Sequence, residues 1–421
     1  MKANFTPEST PSAGFPKRKA GFFESLLIGQ LQKLKTGSLI MHHAGREHCF
    51  GSSDDQSPIE FKVTNLAFFR KACLGGSLGV ADSFAAGDWQ THDLVGFFRL
   101  FLQNLEVMDG MEGGWATVLN KFARWAYLIS QKNTVKGSRR NIALHYDLGN
   151  DFYELMLDPT MTYSCGIFAN QDTTLEEASL AKYDRIIEQL EIKDGQTVLE
   201  IGCGWGGFAK RLLETTDAKW TGTTISQQQY NYAKEIIEHG NWENRATLLQ
   251  EDYRNLQGFY DRIVSIEMIE AVGHEYLPTY FSKISDLLAT DGAALIQAIT
   301  MPDHRYDQYL QEVDYIRTRV FPGSCVPSIS AMVSAVAKKS DLRPTGIHDI
   351  GYHYARTLRE WRMKFLAKEE EIEKLGYDDS FRRAWLYYLC YCEAGFEEGY
   401  TGDIHLLLTK PKSTVGKGFP Q

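Results

Sequence analysis

The stretch Val198-Leu-Glu-Ile-Gly-Cys-Gly-Trp-Gly-Gly207 constrains this chain more than any other, because an apolar run ends in four glycines within six positions. Such a run reads as a buried strand delivering its C-terminal end to a ligand. Gly202, Gly204, Gly206 and Gly207 permit positive φ and lack Cβ atoms, so the backbone can turn sharply and let a ligand lie on main-chain amides. A turn without a ligand needs only one or two glycines. The letters fit the dinucleotide pattern G-x-G-x-x-G, and equally E-x-G-x-G-x-G with Glu200 at the strand end. The glycines alone do not choose between them.

The following segments favour the second pattern, which is the S-adenosylmethionine loop of class I methyltransferases. A dinucleotide fold places an acidic residue on the ribose about twenty residues on, whereas the next expected strand, Trp220 to Thr224, ends in threonines. Ser226 with Gln229 then forms a capping-box pattern that opens a helix, a purely structural use of Gln229. Thr247 to Leu249 and Arg262 to Ile266 read as further strands alternating with helices. Glu251-Asp252-Tyr253 lies where an adenine would sit.

Several motifs now stand in order: Tyr-Asp-Leu-Gly-Asn-Asp-Phe-Tyr (146 to 153), Met-Thr-Tyr-Ser-Cys (161 to 165), the glycine loop, Gly-Thr-Thr-Ile-Ser (222 to 226), Asp-Tyr-Arg (252 to 254), Asp-Arg-Ile-Val-Ser (261 to 265) and Phe-Pro-Gly-Ser-Cys-Val-Pro-Ser (321 to 328). Together they resemble the cyclopropane-fatty-acyl-phospholipid synthases and their mycolic acid relatives. Upstream, Gly-Gly-Ser-Leu-Gly-Val-Ala-Asp-Ser-Phe (75 to 84) and Gly-Asp-Trp (87 to 89) resemble the small N-terminal domain of the phospholipid-acting branch. The resemblance implies an α/β class I S-adenosylmethionine-dependent methyltransferase fold with a Rossmann-like seven-stranded sheet, preceded by a small α+β domain.

Length agrees, since 421 residues exceed what one hydrophobic core usually organises. The expected division is a flexible tail with a basic amphipathic helix over 1–36, a small lipid-associated domain over 37–113, a helical connector over 114–145 and a catalytic domain over 146–421. Residues 1–36 carry six Lys or Arg against two Glu, and Phe23, Leu27, Leu31 and Leu34 share one helical face. That face either packs on the domain below or meets a membrane surface. The net charge of −9 argues against nucleic-acid binding. Seven cysteines without a C-x-x-C pair argue for a reducing compartment and against a zinc site. With no signal peptide and no membrane-spanning run, the expected location is cytoplasmic, at the inner face of a membrane.

The chemistry of adding a methylene to an isolated alkene needs a dry pocket that orients a weak nucleophile. Aromatic faces then stabilise the carbocation. Tyr352, Tyr354, Trp361, Phe365, Trp385, Tyr387, Tyr388 and Tyr391 are available, though aromatics at helical spacing are mostly core. A base finally removes a methyl proton. In the resembling family this base is bound bicarbonate, and the motifs carry its site onto Cys165, Glu270, Ile299 and Tyr354, with Gln297 where the family has histidine. For the cofactor the resemblance implies Tyr163, Ser164, Gly202, Gly204, Thr224, Gln229 and Tyr253. No metal is expected, and no role is assigned to His145, His274 or His353. The implied reaction is cyclopropane formation on unsaturated phospholipid acyl chains by a peripheral, homodimeric enzyme. Gln297 keeps open a carbon methylase making methyl-branched or methylene chains. An amine methylase fits less well, and a non-catalytic lipid-binding protein fits poorly with a complete glycine loop.

Overall fold

The computed structural model describes residues 21–52, 57–105 and 148–416. The basic cluster Lys17, Arg18 and Lys19, the connector expected over 114–145, and His145 lie outside the described residues. Two sheets organise the chain. The smaller has the order β2-β1-β3-β4, built from β1 (Ser38–His43), β2 (Arg46–Gly51), β3 (Ile59–Val63) and β4 (Trp89–Thr91). Around it lie α1 (Phe22–Leu31), α2 (Ala67–Ala85) and α3 (Leu94–Leu102). The apolar face of α1 takes the packing alternative: Leu27, Leu31 and Leu34 are buried and α1 lies on α2. The glycine-rich motif at 75–84 falls inside α2, which bends at Gly76, where φ is +54°.

The larger sheet has the order β10-β11-β9-β8-β5-β6-β7, with β5 (Thr197–Ile201), β6 (Lys219–Thr223), β7 (Ala246–Leu249), β8 (Tyr260–Ile266), β9 (Leu288–Thr300), β10 (Arg343–Asp349) and β11 (Gly402–Thr409). Strands β5 to β9 pair in parallel, and β11 runs antiparallel between β9 and β10. Val198, Leu199 and Ile201 of β5 are buried, which is why this strand reads as mainly apolar, with Glu200 its one charged residue. The expected strands lie within a residue or two of their observed ends.

The connecting helices are α4 (Asn150–Met156), α5 (Leu175–Gln189), α6 (Gly207–Thr215), α7 (Gln227–His239), α8 (Leu277–Leu287), α9 (Asp303–Gln311) and α10 (Ile329–Lys339). A π-helical turn spans Ile316–Val320. Helices α11 (Tyr354–Ala367), α12 (Glu369–Lys374) and α13 (Asp379–Glu397) precede the last strand. From β5 the chain proceeds to β6 and β7 on one side, then crosses to β8 on the other. The C-terminal end of β5 is therefore the switch point at which open α/β sheets hold ligands.

The long helix α13 starts cleanly because Asp378 accepts a hydrogen bond from the Phe381 amide at 2.8 Å. It joins the two parts of the molecule, packing against α11 on one side and α2 and α3 on the other. Tyr387 meets the rings of Phe84 and Phe98 at 5.6 and 4.8 Å. Arg99 of α3 pairs with Glu397 at 3.1 Å and Glu398 at 2.6 Å. No helix among the described residues is long and apolar enough to cross a membrane.

Candidate active site

At the switch point the glycine loop leaves β5 with positive φ at Gly202, Gly204 and Gly206. The amides of Gly202 and Cys203 both donate to the Thr223 carbonyl, at 2.9 and 3.0 Å, which ties the loop to the end of β6. A Cβ on Gly204 would meet nothing within 4 Å, whereas one on Gly202 would collide with Met268 at 2.7 Å. The loop thus turns one bare face to open space and packs the other on the residues that follow β8.

That open space is a cavity of ≈ 350 Å³. Tyr163, Ser164, Gly202, Gly204, Thr224, Gln229 and Tyr253 all line it. Ser226 caps α7 by accepting from the Gln229 amide, but the Gln229 side chain does not complete the box; its Oε1 accepts from Thr224 Oγ1 at 2.9 Å. Glu200 is buried at the strand end, accepting from Trp220 Nε1 at 2.9 Å. Burial pushes its carboxyl up to about 8, with the Trp220 bond and Lys182 acting the other way. The combination of a bare glycine face, a strand-end carboxyl and hydroxyl, amide and phenol groups fits S-adenosylmethionine.

The C-terminal aromatics divide. Tyr354, Tyr388 and Tyr391 line the cavity, and Trp361 stands 5.1 Å from Tyr163, whose hydroxyl bonds that of Tyr388 at 2.9 Å. Phe365 and Trp385 are core around Phe152, Tyr387 belongs to the contact between α13 and the small domain, and Tyr352 is exposed. Leu102 of α3 also lines the cavity, so the small domain contributes to its wall.

The five residues assigned to an anion gather at one place, but a carboxylate of the chain already stands among them. Glu267 Oε1 accepts from the Cys165 amide at 2.8 Å and from Gln297 Nε2 at 2.8 Å; its Oε2 accepts from the Tyr354 hydroxyl at 2.5 Å. The Ile299 amide donates to Glu270 Oε1 at 2.7 Å, and Glu270 Oε2 is buried without a partner. Cys165 and Gln297 are fully buried and sit behind this cluster rather than on the cavity wall, while Glu267, Glu270, Ile299 and Tyr354 line it. Gln297 Nε2 also bonds Asp403 at 2.9 Å. Lys182, fully buried and bonded to Ser164, supplies the positive charge.

Burial raises the Glu267 carboxyl, and Lys182 and the Tyr354 bond oppose that rise. Burial, aided by Glu267, pushes Glu270 up to about 8 and holds Asp403 well above the carboxylate range. Sequence reasoning passed over Glu267 although it lies in the same Ser-Ile-Glu-Met-Ile-Glu run as Glu270. Two carboxylates three positions apart at a strand end were the available signal. Of the histidines given no role, His353 is held down to about 4 by burial and neighbouring arginines, and His274 bonds Tyr306 at 2.9 Å.

This sheet order, with its one reversed strand and its glycine loop at the switch point, defines a class I S-adenosylmethionine-dependent methyltransferase. The family model described as mycolic acid cyclopropane synthetase matches residues 133–406, and the chain belongs to that family. It is 35% identical over 346 residues to the cyclopropane-fatty-acyl-phospholipid synthase of Escherichia coli K12, covering 81% of this chain and 85% of that protein. It is 33% identical over 357 residues to the tuberculostearic acid methyltransferase UfaA1 of Mycobacterium tuberculosis, covering 83% of each. Among solved structures, the cyclopropane synthase CmaA1 complexed with SAH and CTAB superposes with a TM-score of 0.61 at 31% identity, over 65% of this chain and 98% of that one.

Proposed function

We propose that the protein transfers a methylene group from S-adenosylmethionine to the cis double bond of unsaturated phospholipid acyl chains, forming a cyclopropane ring. The observation that carries this reading is the single cavity that joins a bare glycine loop to an aromatic wall and a buried carboxylate. The similarity alone does not choose the product, because a synthase and a methyltransferase of fatty acyl chains match the chain about equally well.

S-adenosylmethionine, when bound, would supply an electrophilic methyl carbon for the alkene π pair, with the carbon–sulfur pair left on sulfur. The glycine loop, Thr224, Gln229 and Tyr253 would hold it. The chain's own residues do the rest. Tyr163 and Tyr388 line the cavity and would present π faces to the cation left on the second alkene carbon, with Trp361 packed behind Tyr163. Their hydroxyls and rings are fixed by one another, so the wall is organised before the charge develops. A proton is then removed at the carboxylate end of the cavity.

Contact with the membrane is part of the proposal. Phe22 and Leu26 of α1 and Leu74 of α2 are large apolar side chains left exposed around the smaller sheet, and the sequence just before α1 carries Lys17, Arg18 and Lys19. Such a surface suits shallow insertion among anionic headgroups. The direct test of the reaction is incubation with S-adenosylmethionine and vesicles of cis-monounsaturated phospholipid, followed by mass spectrometry of the acyl chains. A gain of one methylene per chain is expected; unchanged chains would refute the reading.

A further inference from the structure

The residues that the family resemblance assigns to a bound bicarbonate do not fit one here. Three of its donors, the Cys165 amide, Gln297 Nε2 and the Tyr354 hydroxyl, are already spent on Glu267, and the fourth, the Ile299 amide, is spent on Glu270. Charge gives the same answer. Among the described residues Lys182 is the one cation facing this cluster, and burial with repulsion from Glu267 pushes Glu270 up to about 8 and raises Asp403 as well. A bicarbonate would add a second negative charge beside Glu267 in a largely desolvated pocket, with no further cation among the described residues to balance it, at a cost too large for one more hydrogen bond to recover.

We propose that the side-chain carboxylate of Glu267 is itself the base in this enzyme, taking the place of an exogenous anion. The proposal rests on the reaction set out above and names the residue that completes it. Geometry supports it in three ways. Glu267 lines the cavity and is aimed by three donors drawn from distant parts of the chain, the arrangement of a preorganised reactive group. It lies at the end of β8, directly beside the switch point, and its neighbour Met268 packs against Gly202 of the cofactor loop. The carboxylate therefore stands at the glycine-loop end of the cavity. Finally, its backbone is held at φ +46°, a conformation that costs a non-glycine residue free energy and that is kept where the surroundings over-determine it.

The step balances within the site. A C–H bond of the transferred methyl breaks, its electron pair closes the ring onto the cationic carbon, and its proton goes to a Glu267 oxygen. The neutral carboxyl so formed then returns the proton to solvent. Burial strengthens Glu267 as a base, and Gln297, bridging Glu267 and Asp403, acts as a positioning residue.

The test compares wild type with Glu267→Gly, which suits the positive φ, and with Glu267→Gln, which keeps the size and cannot accept the proton. In buffer freed of dissolved bicarbonate, wild-type turnover should be unchanged. Both variants should lose about 10²-fold or more in kcat while binding S-adenosylmethionine with wild-type affinity in calorimetry. Added bicarbonate should restore turnover to Glu267→Gly. Independently of activity, NMR with ¹³C-bicarbonate should show a bound signal in Glu267→Gly and none in wild type. Wild-type turnover that falls on bicarbonate removal, a bound bicarbonate signal in wild type, or a variant with full kcat would overturn the proposal. A wild type that modifies no lipid in either buffer would refute the reaction itself, and the ¹³C measurement would still decide whether the anion site is filled by Glu267.

Discussion

Single residues carry the sharpest consequences of this arrangement. Gly204 faces open space with φ +52°, so Gly204→Val sets a strained, branched side chain in the ligand's volume without touching the core. Loss of S-adenosylmethionine binding in calorimetry, with cooperative unfolding retained, is expected; wild-type affinity would remove the loop from the site. Glu200 and Glu270 give a pH signature. In the folded protein both hold their protons up to about 8, whereas in the unfolded chain they release them near 4.5. The folded state binds more protons between those values, so these groups make stability fall as pH rises through that window and level off above it. The decline in Tm from about pH 5 to about pH 9 should be smaller in Glu200→Gln than in wild type; an equal or steeper decline would count against a buried, protonated Glu200. The cofactor-side residues were legible because each sits in a short motif at a strand end. Glu267 was not, since its role depends on a positive φ and on donors 102, 30 and 87 positions away in sequence. No local spacing records such a meeting.

Whole elements were easier to read than the contacts between them. Short β-branched and aromatic runs between helical stretches, with the glycine loop after β5, made β5, β6 and β8 visible in the letters. A helix near the N-terminus was visible too, but Phe22–Leu31 carries Glu24 and no Lys or Arg, and the face it buries depends on α2, a partner that periodicity does not name. Helix α13 shows the same limit, for its aromatics at helical spacing do not reveal that it packs on α11 on one side and on α2 and α3 on the other. Its Glu393 is 1% exposed and receives Arg359 Nε at 3.0 Å and Arg362 Nε at 2.7 Å from α11. Glu393→Ala would strand the Arg362 guanidinium at the junction of α11 and α13 and leave Arg359 with Glu397 alone. A loss of about 3 kcal/mol in unfolding free energy is expected from denaturant titration, at the lower end for buried pairs because both arginines can turn partly to water. A loss under about 1 kcal/mol would mean that packing alone holds the two helices together.

At the scale of the molecule, the small domain is more than an appendage, because Leu102 lines the cavity and exposed apolar side chains stand on its outer helices. Replacing Phe22 and Leu26 with serine, or neutralising Lys17, Arg18 and Lys19, should weaken sedimentation with anionic vesicles, the charges by about 1 kcal/mol each near the surface. High salt should weaken the charge-driven part alone. Binding indifferent to all three changes would assign α1 to packing only.

The central claim is that a carboxylate at the cofactor end of the cavity takes a proton from the newly added methyl group. Loss of that proton closes a ring, whereas loss of one from a neighbouring chain carbon leaves a double bond at equal mass. Proton NMR of phospholipid extracted after reaction with the wild-type enzyme separates the two. Strongly shielded cyclopropane ring protons, with loss of the substrate's olefinic signal, are the expected result. New olefinic or branched-methyl signals in their place would contradict it, moving the protein to carbon methylation.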